Sequence, residues 1–273
     1  NQLWWNNLDV LGADGESFME LNRPLRIIVL SQYFWPEVGA AQTRLAALVT
    51  QLSNEGHDVQ VVTSMPNYPT GEIFATHRGR VFSTEAFGSA KIRRTWVYAA
   101  SGTGFKRLLN YLSFTMTSTF AIGRCGKADL LFIESPPLFL AVPGLMYAKA
   151  RKIRTVFNVA DLWPDAAVAV GALSDGLVLR VMLRFERWIY RHVDVITTVT
   201  DGVESRLRDK GVDAARIVML PNGVDTAMFH PDNSDLTVLR RIGFESTPFI
   251  IYAGTMGLAH GIDPLIEAMH ILK

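Results

Sequence analysis

Several residue types and patterns that define common protein classes are missing from this chain. Only one of its 273 residues, Cys125, is a cysteine, so no disulfide can form within the chain and a reducing compartment is expected. No apolar run reaches the roughly 18 residues that a membrane-spanning helix needs. Acidic residues interrupt the first 20 positions, which argues against a secretory signal pattern there. We therefore predict a cytoplasmic location.

Charge of one sign and the signatures of common cofactors are also missing. The formal net charge is +1, from 27 basic and 26 acidic residues, so no strong field would attract nucleic acid. The chain contains no G-x-G-x-x-G after its first predicted strand, no P-loop and no H-E-x-x-H, and its six histidines lack metal-ligand spacing. These absences disfavour dehydrogenases and metalloenzymes, and we predict neither a cofactor nor a metal site.

The chain does contain short β-branched runs that alternate with helical segments. Runs such as 26–31 and 155–159 are typical of buried parallel strands. Leucine and valine between residues 41 and 54 recur at helical spacing. This alternation predicts an α/β fold with a Rossmann-like, doubly wound parallel sheet. Residues 80–87 and 91–97 are predicted to form a local hairpin.

Composition divides the chain into four parts. We expect residues 1–24 to be a loosely packed extension, residues 25–220 to form an N-terminal acceptor-binding domain, and 221–248 to be a linker rich in proline, asparagine, glycine and aspartate. Residues 249–273 would begin a second, incomplete domain with a strand at 249–253 and a helix from about 261. These 25 residues are too few to bury a hydrophobic core by themselves. The sequence therefore looks like a protein that is cut off within its second domain.

Candidate site residues follow the predicted parallel strands, because ligands of such sheets bind beyond the carboxyl ends of the strands. The polar or conformationally permissive residues in these loops are Glu37, Gly39, Asn67, Tyr68, Ser135, Asp161 and Asp165. Gly39 precedes a helix, where backbone can approach a phosphate closely; an ordinary tight turn is the alternative. Asp161 or Asp165 could accept a proton from an attacking hydroxyl; turn and helix-cap roles are equally open.

Residues 104–124 carry a different pattern. Apolar residues recur at helical spacing, and basic residues lie at both ends. An amphipathic helix with basic flanks can bind an anionic membrane surface. The alternative is a core helix with a solvated basic end.

Four motifs resemble glycosyltransferase family 4. The stretch P-N-G-V-D at 221–225, followed by Phe229 and Pro231, is similar to the family's linker signature P-N-G-V-D-x-x-x-F-x-P. The loops M-P-N-Y-P at 65–69 and D-L-W-P-D at 161–165 resemble the subgroup that builds bacterial surface polysaccharides, which includes colanic-acid-type and N-acetylfucosaminyl transferases. The resemblance implies the GT-B fold, in which two Rossmann-like domains enclose the active site.

The resemblance also implies a reaction and roles for residues. It implies retaining transfer from a nucleotide-diphosphate sugar without a required metal, to an acceptor that we expect to be a lipid-linked saccharide. Asp161 matches the catalytic position, and Gly39 would contact the donor phosphate or the transferred sugar. The stretch Y-A-G-T-M-G at 252–257 resembles the donor-facing loop, so Gly254, Thr255 and Gly257 are predicted donor contacts. Asn222, Gly223 and Asp225 belong to the linker motif.

The family's E-x7-E motif and its diphosphate-neutralising basic residues would follow position 273. We therefore expect these 273 residues alone to lack transferase activity. Three alternatives remain open at the level of sequence: a carbohydrate- or nucleotide-binding module without catalysis, a nucleotide-sugar epimerase of the GT-B fold, and a dehydrogenase, which the missing glycine motif disfavours.

Overall fold

One mostly parallel β-sheet organises the part of the chain that the structure describes. The computed structural model describes residues 23–102, 104–169, 171, 173–223, 230, 236–241, 243, 250–254 and 261–272. The strands within these residues are β1 (Arg26–Leu30), β2 (Asp58–Ser64), β3 (Phe82–Phe87), β4 (Ala90–Thr95), β5 (Leu130–Ser135), β6 (Arg154–Val159), β7 (Val195–Thr198) and β8 (Ile217–Met219). Their order is β3-β4-β2-β1-β5-β6-β7-β8, and β3 pairs antiparallel with β4 while the other pairs are parallel.

Helices connect most of these strands. The α-helices within the described residues are α1 (Ala40–Asn54), α2 (Phe105–Gly123), α3 (Ala141–Arg151), α4 (Asp165–Ala169), α5 (Leu177–His192), α6 (Asp201–Asp209), α7 (Leu236–Arg241) and α8 (Asp263–Ile271). A 3₁₀ turn, Leu138–Leu140, leads into α3. In the described residues no helix has both the length and the apolarity needed to span a bilayer.

The order of the strands makes the sheet doubly wound. From β1 the chain passes through α1 to β2 on one side, whereas from β5 it passes through α3 to β6 on the other. Right-handed crossovers in opposite directions place their helices on opposite faces of the sheet. The point where the winding reverses lies between β1 and β5, and a crevice opens there at the carboxyl ends of the strands.

Alternation along the central strands divides the core into two layers. Ile27 and Val29 of β1 face a cluster that includes Leu45 and Val49 of α1. The next residues along the strand, such as Ile28, face the opposite cluster, which contains side chains of α2, α3, α5 and α6. Because both faces of β1 are covered, its sequence is an almost continuous apolar run.

The sheet confirms the predicted α/β, Rossmann-like, doubly wound fold. One predicted element is wrong: residues 250–253 lie outside any strand. A single strand has little stability without a neighbouring strand to satisfy its backbone groups, and the described residues offer no such neighbour to this segment. The helix predicted after it is α8. Of the predicted extension, residues 1–24, only residues 23 and 24 are among the described residues.

Candidate active site

The crevice between β1 and β5 brings together loops that are distant in sequence. The loop after β1 contains Glu37 and Gly39, and the loop after β2 contains Asn67 and Tyr68. Ser135 ends β5, one strand away from β1. Strand β6, which precedes Asp161, pairs with β5 in parallel. The predicted residues therefore follow neighbouring parallel strands along one edge of the sheet.

Glu37 joins the first two of these loops. Its Oε1 accepts hydrogen bonds from the backbone N–H groups of Asn67, at 2.7 Å, and Tyr68, at 2.8 Å. Its Oε2 accepts one from the N–H of Phe34 at 3.2 Å. Burial raises the pKa of Glu37, and these three bonds oppose the rise. The side chain is only 4% exposed, so the structure places it beneath the loops as a support, and contact with substrate stays a prediction.

Gly39 lies directly before α1, in extended backbone, and no side chain caps this helix. A Cβ atom at position 39 would lie 2.5 Å from Oε1 of Gln42. Because Gln42 is buried, a side chain at position 39 would displace it. The structure thus explains why a small residue fits here, while contact of Gly39 with donor phosphate stays a prediction.

A polar network crosses the carboxyl ends of β5, β6 and β7. Arg44 of α1 forms an ion pair with Oε1 of Glu134, and Asn158 Nδ2 donates to Glu134 Oε2 at 2.9 Å. Thr197 donates its hydroxyl to Asn158 Oδ1 at 2.8 Å. Arg44 also donates to Oδ1 of Asn222 at 3.1 Å. The predicted linker motif is therefore tied to the edge of the sheet that holds the candidate site.

Burial governs the protonation of Glu134. Burial raises the pKa of its carboxyl to about 7, the Arg44 cation and the Asn158 amide lower it, and the Asp161 charge raises it. The Asp161 carboxylate is thus electrostatically coupled to Glu134. The Ser135 hydroxyl is fully buried, and no hydrogen-bond partner is described for it.

The two predicted carboxylates of the loop after β6 have different surroundings. Asp161 is exposed. Asp165 begins α4 and forms an ion pair with Lys210, whose Nζ also donates to Glu186 at 2.6 Å. Asp161 is therefore the carboxylate that is accessible to a ligand without breaking an ion pair, whereas binding by Asp165 would compete with Lys210.

Sequence reasoning missed two charged residues near the site, Arg44 and Glu134, and it placed Arg107 only in the basic flank of the helical segment 104–124. Arg44 is a single basic residue on a helix, a pattern that usually indicates a solvated surface. Glu134 follows the apolar run 130–133 and directly precedes the predicted Ser135, and a carboxylate at that place is the one signal that the sequence offered. No group of three metal-ligating side chains occurs within the described ranges.

Only some of the predicted donor-contact and linker residues are among the described residues. Gly254 is described, and a Cβ there would lie 3.4 Å from the Tyr252 hydroxyl. Thr255, Gly257 and Asp225 lie outside the described residues. Gly223 is described and exposed. Donor binding by these residues stays a prediction.

A second cleft lies at the opposite edge of the sheet. Its volume is about 820 Å³, and residues at the start of β6 and just before β7, such as Thr155 and Asp194, line it with Trp188 of α5. Asp194 Oδ2 accepts hydrogen bonds from the backbone N–H of Thr155 at 2.7 Å and from the Thr155 hydroxyl at 2.8 Å. The amino ends of parallel strands lie away from the crevice where ligands of such folds bind, so this cleft is separate from the candidate site.

Known proteins share both the sequence pattern and the fold. The colanic acid biosynthesis glycosyl transferase WcaI of Escherichia coli, as that protein is named, is 29% identical over 259 residues, which are 91% of this chain and 63% of WcaI. Sucrose-phosphate synthase from Thermosynechococcus elongatus matches 80% of this chain and 53% of its own, with a TM-score of 0.57 and 14% identity. The HepE protein of Anabaena, solved with UDP-glucose, matches 81% of this chain and 50% of its own, with a TM-score of 0.51 and 12% identity.

The chain spans only part of the length of these relatives. It covers less than two thirds of WcaI and about half of each of the two solved chains. The structural matches support the fold, which is that of one domain of a GT-B protein. The model of a family described as glycosyl transferase 4-like domain matches residues 39–223, well over half of the chain. The chain therefore belongs to the glycosyl transferase 4-like domain family, which confirms the resemblance to glycosyltransferase family 4.

Proposed function

We propose that this chain is the acceptor-binding part of a glycosyltransferase of surface polysaccharide biosynthesis. The enzyme transfers a sugar, with retention, from a nucleotide-diphosphate sugar to a lipid-linked saccharide. The observation that carries the proposal is the exposed Asp161 beyond the carboxyl end of β6, beside loops that buried side chains hold in place. The name of WcaI supports the pathway, and the UDP-glucose bound to HepE supports the class of donor.

Asp161 is the proposed catalytic residue. Its carboxylate accepts a hydrogen bond from the acceptor hydroxyl and orients that oxygen toward the anomeric carbon of the donor. The bond between the anomeric carbon and the diphosphate breaks, and a bond to the acceptor oxygen forms on the same face. The leaving diphosphate takes the hydroxyl proton, so its developing charge is the main electrostatic load. Gly39, before α1, lets the backbone approach that phosphate.

Helix α2 is the proposed contact with the membrane. Phe105, Met116 and Phe120 on its outer face are 72%, 69% and 67% exposed, and basic residues flank the helix. Apolar side chains with basic flanks favour the surface of an anionic bilayer. We propose a peripheral location on the cytoplasmic face of the membrane. Vesicles that contain phosphatidylglycerol should bind the chain in a flotation assay, and binding should weaken with salt; no flotation at low salt contradicts the contact.

The transfer reaction is tested with the protein expressed from its complete reading frame. The assay measures transfer of radiolabelled sugar from a panel of nucleotide-diphosphate sugars to lipid extracted from bacterial membranes. Asp161→Asn removes the carboxylate and should lower the rate by at least about 100-fold, while the free energy of unfolding changes little because Asp161 is exposed. Asp175→Asn is the matched control, since Asp175 is another exposed loop carboxylate.

Each outcome of this assay separates the proposal from its alternatives. Transfer that depends on Asp161 and gives an unchanged anomeric configuration supports the proposal. Ligand binding without turnover by any donor indicates a binding module, and release of an epimerised nucleotide-sugar indicates an epimerase. Either of the last two results overturns the proposal.

A further inference from the structure

A cluster of one arginine and three tyrosines lies beside the candidate site. We name Tyr33, Tyr68, Arg107 and Tyr111 the Arg107 cluster. The Arg107 guanidinium lies over the ring of Tyr111, at 4.9 Å from the centroid, and over the ring of Tyr33, at 5.5 Å. Tyr33 meets Tyr68 edge to face, with centroids 5.9 Å apart. The cluster therefore connects the first turn of α2 with the loops after β1 and β2.

Buried hydrogen bonds fix this end of α2 against the sheet. Asn110, one turn after Arg107, is fully buried and accepts from Gln32 Nε2 at 2.6 Å. Its own amide donates to the carbonyl oxygen of Tyr98 at 2.8 Å. Because both polar atoms of the Asn110 side chain are hydrogen-bonded, this buried amide holds its neighbours in one arrangement. Arg107 is thereby positioned at the rim where Tyr68 was predicted to bind substrate.

The Arg107 cation has no described counter-ion. Its Nε donates to the Tyr111 hydroxyl at 2.9 Å, and among the described residues no carboxylate lies within ion-pair distance and no acceptor is found for either Nη atom. The side chain is half-buried, so the cation has lost part of its hydration. An anion is the ligand that restores these interactions, and a planar guanidinium matches two oxygens of a phosphate.

The same helix offers an apolar surface next to this cation. Leu108, Leu109 and Leu112 are 36–38% exposed, and Phe105 is 72% exposed. A lipid-linked phosphate held by Arg107 would place its hydrocarbon against this surface, whether the surface faces water or a bilayer, whereas a soluble phosphate has no hydrocarbon to place there. Burial of hydrocarbon against an apolar surface is favourable. The charge and the apolar face together favour an amphiphile with a phosphate headgroup.

We propose that Arg107, with the tyrosines of its cluster, binds the diphosphate of a polyprenyl-linked acceptor whose hydrocarbon lies along the outer face of α2. The identification of this ligand as the acceptor rests on the proposed function. The binding site itself does not, because it is defined by the cation, the rings and the apolar face. Arg107 is accordingly a specificity-determining residue that selects acceptors carrying both groups.

The test measures binding of farnesyl diphosphate in detergent micelles to the 273-residue chain by calorimetry. Arg107→Ala should weaken binding by at least about tenfold, because hydrogen bonds to a charged group are lost. Lys106→Ala is the matched control: Lys106 is the preceding residue and exposed, and its loss should leave the affinity within about twofold of wild type. Inorganic pyrophosphate should bind more weakly than farnesyl diphosphate, since it has no hydrocarbon.

Four results would overturn this proposal. These are unchanged affinity in Arg107→Ala, equal losses in the two variants, equal affinity for pyrophosphate and farnesyl diphosphate, and a loss specific to Arg107 that occurs only with phosphatidylglycerol vesicles. The last would identify a membrane phospholipid as the ligand. If Arg107→Ala does not fold, Arg107→Lys keeps the charge but loses the forked geometry, and it should still weaken binding of farnesyl diphosphate by about tenfold.

Failure here is distinguishable from failure of the proposed function. Binding of farnesyl diphosphate is measured without a donor, so a protein that transfers no sugar can still bind it through Arg107. Conversely, transfer that depends on Asp161 but not on Arg107 would keep the glycosyltransferase and remove this acceptor site.

Discussion

Three buried ionisable side chains hold the loops at the rim of the sheet. Glu37, Arg94 and Glu134 are 4%, 1% and 2% exposed. Arg94 donates to Glu85 at 2.8 Å and to the carbonyl oxygen of Ser64 at 3.2 Å, and its guanidinium also reaches the carbonyl oxygen of Trp35 in the loop after β1. Because a buried charge is costly unless it is fully paired, each of these residues fixes its partners in one geometry.

A substitution at Glu37 measures how much the hydrogen bonds of a buried carboxylate contribute to stability. We expect Glu37→Gln to lower the free energy of unfolding by about 2 kcal/mol, because charge-assisted hydrogen bonds are lost and an amide NH₂ would face backbone N–H donors. Urea denaturation measures the loss. Glu72→Gln is the control, since Glu72 forms an exposed ion pair with Arg78. Equal stability of the two variants would show that the Glu37 bonds contribute little.

Cys125 is predicted to be unreactive in the folded chain. It is 6% exposed, and burial raises its pKa to about 11, so at pH 8 almost none of it is the thiolate that reacts. Iodoacetamide should modify it in urea at a rate at least about 100-fold higher than in buffer. Equal rates in the two solvents would contradict a buried thiol.

The sequence identifies loop residues better than it identifies their partners. Glu37, Tyr68 and Asp161 follow predicted strands, and topology brings those strand ends together. Arg44 becomes significant only when α1 packs on the sheet and brings its cation to the carboxylate of Glu134. Such tertiary contacts leave no periodic signal, so a single sequence cannot separate Arg44 from the other 26 basic residues.

Helix α2 has features of both alternatives that the sequence left open, a membrane-surface helix and a core helix. The apolar residues that suggested a membrane surface, from Phe105 to Phe120, are exposed, and different residues, including Phe114 and Ile122, pack into the core. The helix is therefore apolar on both sides, which a simple amphipathic pattern does not distinguish from one broad core face. The segment at 250–253 shows that a strand-like sequence pattern is not sufficient for a strand, because a β-branched run forms one only where another strand can pair with it.

Arg44 of helix α1 forms an ion pair with Glu134 of β5. Replacing Arg44 by an uncharged residue should change how the free energy of unfolding depends on pH. In Arg44→Met the cation that lowers the pKa of Glu134 is lost, so that pKa rises from about 7. The folded state then holds a proton that the unfolded state releases above the ordinary carboxyl pKa of 4.5. The free energy of unfolding consequently falls as pH rises through this window, by up to about 1.4 kcal/mol per pH unit.

Denaturation between pH 5 and pH 9 measures this difference. The Arg44→Met variant should keep losing stability above pH 7, where the contribution of Glu134 in the wild-type chain levels off. Arg44→Lys retains a cation and should follow the wild-type profile more closely. Parallel profiles for Arg44→Met and the wild type would mean that Arg44 does not set the ionisation of Glu134.

At the scale of the whole molecule, the winding of the sheet decides where chemistry can occur. Loops from β1, β2, β5 and β6 meet at one edge, whereas the large cleft lies at the other edge. The alternation of strands and helices in the sequence predicts this polarity, since parallel strands joined by helices share one carboxyl edge. It does not predict the cleft, which depends on how α3 and α5 pack.

The same architecture predicts a gradient of stability across the sheet. Strands β1 and β5 pair on both sides and are buried, while β3 pairs with β4 alone in the described part of the chain. Opening the centre requires the core to separate, whereas an edge strand can open locally. Hydrogen exchange followed by mass spectrometry should find amides in 26–30 and 130–135 at least about 100-fold slower than those in 82–87, equivalent to a difference of about 2.7 kcal/mol. Equal protection would mean that the sheet opens as one unit, and the rigid centre would then not be what keeps the rim in place.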